Sequence, residues 1–204
     1  MKLFYAAPSP FVRKVLISAM ELGIADRIER IDAATTPMAP DAALAVANPL
    51  AKLPALMTDE GEALYDSSVI CEYLATEHGG SALLPASGPE RWTALRLQSL
   101  ADGMLDAAVL RRYEVAMRPE EHRSKEWDDG QRLKVARALD VLDRDAASLG
   151  DSPTLGTIAV ACALGYLDFR FASEDWRANH PNLARWHEAN WAARPSFMAT
   201  KPPA

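Results

Sequence analysis

A serine directly before a predicted helix is the first candidate for chemistry. Ser9 precedes Pro10, and apolar residues then recur at helical spacing from Phe11 to Met20, which predicts an N-cap followed by proline at the first helical position. The hydroxyl and free amides of a helix N-terminus suit an anion such as a thiolate. A helix cap alone, worth about 1 kcal/mol, explains the same residues. The local pattern leaves both interpretations open.

Three neighbours of Ser9 bear on this choice. Tyr5 offers a second hydroxyl, although the last residue of a predicted strand is more typical of a core position. Arg13 and Lys14 follow in the next helical turn. They are either solvated or leave this helix end electropositive, and such surroundings lower the pKa of a thiol from its usual value of about 8.5.

Asp102 and Asp106 lie four residues apart on one predicted helix, a spacing found in paired acids and metal ligands. Such a pair is more often the polar face of a helix, and no histidine has a fitting spacing, so we expect no metal site. The histidines are scattered and expected to be exposed: His78, His122, His180 and His187.

The composition favours an ordinary globular protein. The 204 residues are 49% hydrophobic and carry a formal net charge of −6, which gives no basic surface for nucleic acid. No apolar run approaches the roughly 20 residues of a membrane span, and Pro8 comes too early for a signal peptide. We therefore expect a cytoplasmic protein that binds neither nucleic acid nor membrane. Cys71 and Cys162 are predicted to be reduced and buried.

The first 78 residues alternate strand and helix signals, which predicts a small sheet covered by helices. The opening β-α-β order favours a parallel first pair joined by a right-handed crossover. We predict strands at residues 2–5, 27–31, 55–57 and 63–65, and helices after Ser9, over 41–47, and from Ser67 or Ser68 to about His78.

After the Gly- and Pro-rich stretch 79–88 no strand is predicted, so the remainder is expected to be all-helical. Ser87 and Glu90 form a capping-box pattern that opens a long amphipathic helix reaching Pro119. Further helices are predicted over 124–149 and 182–193, with a central buried helix over 154–171 and a surface tail at 194–204.

Three stretches carry a specific resemblance in this order and spacing: Ser9-Pro10-Phe11-Val12-Arg13-Lys14, Asn48-Pro49-Leu50-Ala51-Lys52-Leu53-Pro54 and Tyr65-Asp66-Ser67-Ser68-Val69-Ile70. Together with the predicted elements they resemble the glutathione transferase family, in its bacterial serine-type form with a Ser-Pro-Phe motif. Trp186 and the segment 194–197 resemble its closing part. The resemblance implies an α/β thioredoxin-like domain at 1–78, a linker at 79–88 and an all-α domain with the hydrophobic-substrate site at 89–204.

The resemblance also implies roles for individual residues. Ser9 would be catalytic, holding the sulfur of glutathione as a thiolate. Leu53 would precede a cis-proline and offer its backbone to the tripeptide like an added strand. Asp66 would bind the γ-glutamyl ammonium and Ser67 its carboxylate, although either could simply cap a helix. The implied glutathione-binding set is Ser9, Phe11, Lys52, Leu53, Pro54, Asp66 and Ser67.

The function implied is detoxifying transfer of glutathione to a small hydrophobic electrophile by a homodimer, with glutathione as co-substrate and no metal. Isomerase, dehalogenase and peroxidase activities use the same thiolate and stay open. The alternative is a non-catalytic binding or interaction protein of the same fold. One departure from the family pattern is Thr157, which replaces the aspartate of a capping box begun by Thr154 and is expected to cap more weakly.

Overall fold

The computed structural model describes residues 1–203. Its first part contains four strands, β1 (Lys2–Tyr5), β2 (Glu29–Asp32), β3 (Ala55–Met57) and β4 (Ala63–Leu64), and three helices, α1 (Pro10–Glu21), α2 (Ala42–Ala47) and α3 (Ser67–Glu77). The sheet order is β2-β1-β3-β4, with β1 and β2 parallel and the other pairs antiparallel. The predicted β-α-β-α-β-β-α order is confirmed. The predicted strand 27–31 begins later, because a 3-10 turn occupies Ala25–Arg27.

The second part is helical throughout the described residues. Its long helices are α4 (Pro89–Met117), α5 (Lys125–Arg144) and α6 (Leu155–Arg170), followed by α7 (Trp176–Asn179), α8 (Pro181–Asn190) and α9 (Pro195–Ala199). Every residue from 155 to 167 is buried, which confirms the central helix. Both bonds of the capping box are present, since the Thr157 amide donates to Thr154 Oγ1 and the Thr154 amide donates to Thr157 Oγ1.

One apolar cluster runs through both parts of the chain. It joins Leu3, Ile17 and Leu74 from the sheet region to Leu105 and Leu164 from α4 and α6. The 79–88 stretch lies between α3 and α4, but because the core is continuous across it, the division into domains at this stretch stays a prediction.

Three sequence predictions are wrong in this part of the structure. The N-cap of α4 is Gly88 at φ +89°, not a Ser87–Glu90 capping box, and no side chain caps this helix. His180 and His187 are buried and His78 is half-buried, whereas all were expected to be exposed. The predicted surface tail contains α9, whose Phe197 is buried against Trp191 and His187.

Cys71 and Cys162 are free and fully buried, as predicted. Burial raises the pKa of Cys71 to about 11 and that of Cys162 to about 12, so both are inert thiols. Among the described residues, no single helix has the length and apolarity to cross a membrane. Only together do α6 and the segment Ala172–Asn179 pass that test, and they are bent by 96° relative to each other.

Candidate functional site

Ser9 is the N-cap of α1, as its sequence predicts. Its backbone is extended, at φ −77° and ψ 118°, and its Oγ accepts a bond from the Val12 amide at 3.3 Å. Pro10 occupies the first helical position. Because the Ser9 hydroxyl acts as an acceptor in this cap, its own hydrogen stays available to donate to an incoming anion. Capping and anion binding are therefore compatible at this residue.

Tyr5 lies at the end of β1, partly buried, with the Arg30 guanidinium 5.5 Å from its ring centroid. It lines a small cavity of about 40 Å³ with Val12 and Arg13 of α1 and with residues 199–201 near the end of the chain. Its position near the helix start keeps it as the competing hydroxyl.

The Lys52-Leu53-Pro54 stretch leads into β3, and the Leu53–Pro54 peptide bond is cis, as the resemblance implies. Asn48 fixes the loop by donating from its side chain to the Lys52 carbonyl at 2.8 Å. Within residues 1–203, no hydrogen bond uses the backbone N–H or carbonyl of Leu53. These two groups can therefore pair with an extended peptide. Lys52 is exposed and Pro54 is buried.

Asp66 is the N-cap of α3, and its Oδ1 accepts from the Ser68 amide at 2.9 Å. Burial opposes ionisation of Asp66, but the Ser68 hydroxyl and amide and the nearby Lys14 outweigh it, so the pKa of Asp66 is lowered. The carboxylate is charged at neutral pH, which suits an ammonium partner. Ser67, the first residue of α3, is buried.

Arg13 and Lys14 are not solvated, and they do not face an anion at the helix start. Lys14 is fully buried, and its Nζ lies 2.7 Å from each carboxylate oxygen of Asp102 on α4. Arg13 donates to the Phe197 carbonyl at 2.7 Å and stacks on the Phe197 ring at 3.8 Å. Sequence reasoning missed both contacts, because each joins residues far apart in the chain.

Asp106 extends this polar cluster on α4. Burial raises its pKa, and the like charge of Asp66 adds to the effect, while Lys52 and Lys14 oppose it. Asp106 lies one helical turn after Asp102, which pairs with Lys14 of α1. Among the described residues, no group of three or more His, Cys, Asp or Glu side chains is placed to hold a metal ion.

The sheet register places the end of β1, the start of β3 and the end of β4 at the same end of the sheet, so the loops that carry Ser9, Leu53–Pro54 and Asp66 lie at that end. The ion pair between Lys14 and Asp102 joins α1 to α4. Phe11 is partly buried and packs against the apolar cluster beneath Ser9. A separate groove of about 830 Å³ between the end of α5 and α8 contains none of the predicted site residues.

A mixed four-stranded sheet with a cis-proline before β3, joined to an all-helical part, defines a thioredoxin-like protein with a helical extension. Two protein-family models match the chain. The model of the glutathione S-transferase N-terminal domain matches residues 8–77, and the model of the C-terminal domain matches residues 107–189. The chain belongs to the glutathione S-transferase family. The identification from sequence motifs is confirmed at the level of the family.

Relatives agree over the whole chain. The protein described as the uncharacterized GST-like protein YibF of Escherichia coli K12 is 39% identical and covers 100% of this chain and 99% of its own length. A family member from Pseudomonas fluorescens Pf-5, solved with bound glutathione, is 48% identical with a TM-score of 0.96, covering 100% and 99%. A structure from the same organism with bound S-(propanoic acid)-glutathione is 45% identical with a TM-score of 0.91 and covers 100% of both chains.

Proposed function

We propose that this protein is a glutathione transferase in which Ser9 stabilises the thiolate of bound glutathione for attack on a small hydrophobic electrophile. The observation that carries the proposal is the Ser9 hydroxyl, which caps α1 as an acceptor and keeps its hydrogen free at the helix start. A hydrogen bond to a charged group contributes about 1.5–3 kcal/mol, which favours thiolate over thiol. Relatives that bind glutathione and its propanoic acid conjugate support the same activity.

The tripeptide fits the cleft by its chemistry. Its γ-glutamyl carboxylate approaches Ser67 at the N-terminus of α3, and its ammonium pairs with the Asp66 carboxylate. Its cysteinyl part pairs with the free backbone groups of Leu53, and Lys52 lies near its glycyl carboxylate. The thiol loses its proton to solvent, the sulfur forms a bond to the electrophilic carbon, and the leaving group departs with the electron pair of the broken bond.

The first test separates this role from simple capping. Ser9→Ala should raise the pKa of bound glutathione by about one to two units, measured by ultraviolet thiolate absorbance against pH. Ser124→Ala is the matched control, because Ser124 caps α5 through the same contact, a bond from the Trp127 amide at 3.2 Å. Both variants lose a cap of about 1 kcal/mol, but only Ser9→Ala should shift the thiolate titration.

Two outcomes would redirect the assignment. If Tyr5→Phe shifts the thiolate pKa and Ser9→Ala does not, Tyr5 is the activating hydroxyl. If glutathione binds but neither hydroxyl matters and no electrophile is turned over, the protein is a binding protein of this fold.

Binding of the γ-glutamyl end is tested by calorimetry. Asp66→Asn preserves the cap of α3, since asparagine is an equally good N-cap, but removes the charge that would hold the ammonium. We expect weaker glutathione binding with unchanged stability of the fold. Equal affinity in the variant and the wild type would exclude Asp66 from the ammonium site.

We also propose a homodimer in the cytoplasm. A twofold pair is the commonest oligomer, and exposed apolar side chains occur on the surfaces of both parts of the chain, including Val46, Val69 and Trp92. Since one chain is 22.3 kDa, sedimentation equilibrium should give twice this mass. A single-chain mass at all micromolar concentrations would contradict the dimer.

A further inference from the structure

A small cavity lies between the sheet, α1 and residues 199–201. Its volume is about 40 Å³, and it is lined by Tyr5, Ala7, Val12, Arg13, Leu16, Arg30, Ala199, Thr200 and Lys201. Three of these nine residues are basic and none is acidic, although the chain as a whole has a formal net charge of −6. The larger groove at α8 instead combines two arginines with two aspartates. The small cavity is therefore lined by charge of one sign.

The strand register turns Arg30 toward this cavity. Arg30 of β2 pairs with Leu3 of β1, and the side chains of directly paired residues lie on the same face of a sheet. Leu3 belongs to the apolar cluster that contains α1, and Tyr5 lies two residues further along β1 on that face. The Arg30 guanidinium is 5.5 Å from the centroid of the Tyr5 ring. The sheet thus contributes one cation and one phenol to the cavity wall.

The opposite wall comes from α1 and the segment after α9. Arg13 donates from Nε to Thr200 Oγ1 at 3.3 Å and from Nη2 to the Phe197 carbonyl at 2.7 Å. These bonds hold the segment after α9 beside α1, where Lys201 lines the cavity. Cations from three separate parts of the chain, Arg13, Arg30 and Lys201, therefore border one small space.

These three cations have no acidic partner. Within residues 1–203, Arg13, Arg30 and Lys201 make no ion pair with a carboxylate. Arg30 and Lys201 are exposed, but Arg13 is only 5% exposed and donates to neutral oxygens. Burial lowers the pKa of Arg13, and the charge of Asp168, which is bound to Arg177, opposes this only in part. An anion from outside the chain would stabilise such a cation.

The size of the cavity limits what this anion can be. A water molecule needs about 10–15 Å³ of such volume, so the cavity has room for about three waters. A nucleotide or an aromatic acid does not fit, whereas a compact ion does. A tetrahedral oxyanion presents acceptor oxygens in several directions, which suits guanidinium and ammonium donors that approach from different walls.

We propose that this cavity binds a free tetrahedral oxyanion, phosphate or sulfate, at a site separate from that of glutathione. The ion would accept hydrogen bonds from Arg13, Arg30 and Lys201 together. It would thereby hold residues 199–201 against the sheet and compensate the buried charge on α1. Neither Ser9 nor a transfer reaction is needed for this binding.

Nuclear magnetic resonance locates the ion. The ¹⁵N-labelled wild type is titrated with sodium phosphate, with sodium chloride keeping the ionic strength constant. We expect saturable shifts of the amide signals of Tyr5, Thr200 and Lys201, which border the cavity. The amide signals of Ser67 and Ser68, at the N-terminus of α3, should not move. Shifts at α3 alone would place the ion at the proposed glutathione site and overturn the cavity site.

Exposed cations of the cavity can be replaced without touching the core. Lys201→Gln and Arg30→Gln should each weaken phosphate binding about two- to fivefold, the range for one partly exposed charge pair, and the double variant about tenfold. The matched control combines Lys2→Gln with Arg185→Gln, because both residues are exposed and neither lines the cavity. It removes the same two charges and should leave the affinity unchanged.

A second ligand distinguishes a free ion from the phosphate group of a larger compound. Glycerol 1-phosphate carries the same anionic group on a three-carbon chain that the cavity has no room to enclose. We expect it to bind at least about tenfold more weakly than inorganic phosphate. Equal or tighter binding of the ester would overturn the assignment to a free ion and give the cavity to the phosphate group of a larger compound.

Two further results would overturn the site itself. One is the absence of saturable shifts at Tyr5, Thr200 and Lys201 in the wild type. The other is an equal loss of affinity in the double variant and in the double control, because phosphate would then respond only to the total charge of the chain.

Discussion

The buried ion pair between α1 and α4 allows a quantitative prediction. Lys14 is fully buried, and its Nζ lies 2.7 Å from both carboxylate oxygens of Asp102, whose side chain is 21% exposed. Asp102→Asn removes the carboxylate that is hydrogen-bonded to this fully buried ammonium. Removing one partner of a buried pair costs about 3–5 kcal/mol, and we expect a loss in this range in the free energy of unfolding.

The reciprocal variant should depend on pH. Burial raises the pKa of Asp102, and Lys14 is the main group that opposes this rise. In Lys14→Met the pKa of Asp102 therefore rises further. At a pH between the unfolded and the raised native pKa, such a carboxyl is protonated in the native state and ionised in the unfolded chain. Its contribution to stability therefore grows on acidification and is lost as the pH rises through the raised pKa. The cost of Lys14→Met should be smaller at pH 5 than at pH 7.5.

Urea unfolding followed by tryptophan fluorescence, at one protein concentration, measures both effects. Lys14→Met combined with Asp102→Leu should cost less than the sum of the single variants, because an apolar replacement leaves no buried charge. Asp129→Asn, which breaks the exposed pair with Lys125, is the control and should cost at most about 1 kcal/mol. A similarly small cost for Asp102→Asn, or a Lys14→Met cost that is the same at both pH values, would refute the reasoning.

Three further predictions use the same unfolding assay. Gly165→Ala should lower the free energy of unfolding by about 1–3 kcal/mol, because its Cβ would overlap Arg13 and lie 3.1 Å from the Phe197 ring. The control Gly103→Ala, on an open helix face, should not lower it. Thr157→Val should cost about 1 kcal/mol through loss of the acceptor for the Thr154 amide. Burial lowers the pKa of His187 from 6.5 to about 4, so wild-type stability should fall by up to about 3 kcal/mol as the pH drops between these values, and His187→Phe should remove that fall.

Local signals were sufficient for much of the fold. Ser9 followed by Pro10 identified the start of α1, and Asp41 caps α2 at the predicted place. The all-round apolar character of 155–167 identified the central helix, because no polar face was present to meet solvent. Each of these signals lies within one or two helical turns of the element that it specifies.

The errors come from contacts across long sequence separations. Sequence patterns suggest that a basic residue is solvated. In the structure, Lys14 contacts Asp102 at a sequence separation of 88 residues, and Arg13 contacts Phe197 at a separation of 184 residues. Phe197 buries part of the expected tail for the same reason. At α4, the backbone of Gly88 takes φ +89°, a conformation that glycine allows at little cost, so the neighbouring Ser87 does not cap the helix.

In the candidate site, too, local motifs predicted some features, whereas features that depend on the folded chain were not predicted. Ser9, Asp66 and the cis Leu53–Pro54 bond were named from motifs, and the sheet register places their loops at the same end of the sheet. The roles of these residues in catalysis stay predictions.

The two buried cations of α1 connect the proposed chemistry to the helical part of the chain. Ser9 at the start of α1 would hold the sulfur, whereas the electrophile would lie against α4 and α6. Reacting atoms must approach to about 3–3.5 Å in a fixed orientation. Lys14 joins α1 to α4, and Arg13 contacts Gly165 of α6 and the Phe197 carbonyl of α9. On the proposed mechanism, an Asp102→Asn variant that still folds should bind glutathione normally, because Asp66, Ser67 and Leu53 are unchanged. Its kcat should fall, because α1, whose Ser9 would hold the glutathione sulfur, is no longer fixed relative to the second substrate. A kcat equal to that of the wild type would show that α1 keeps its position without the ion pair.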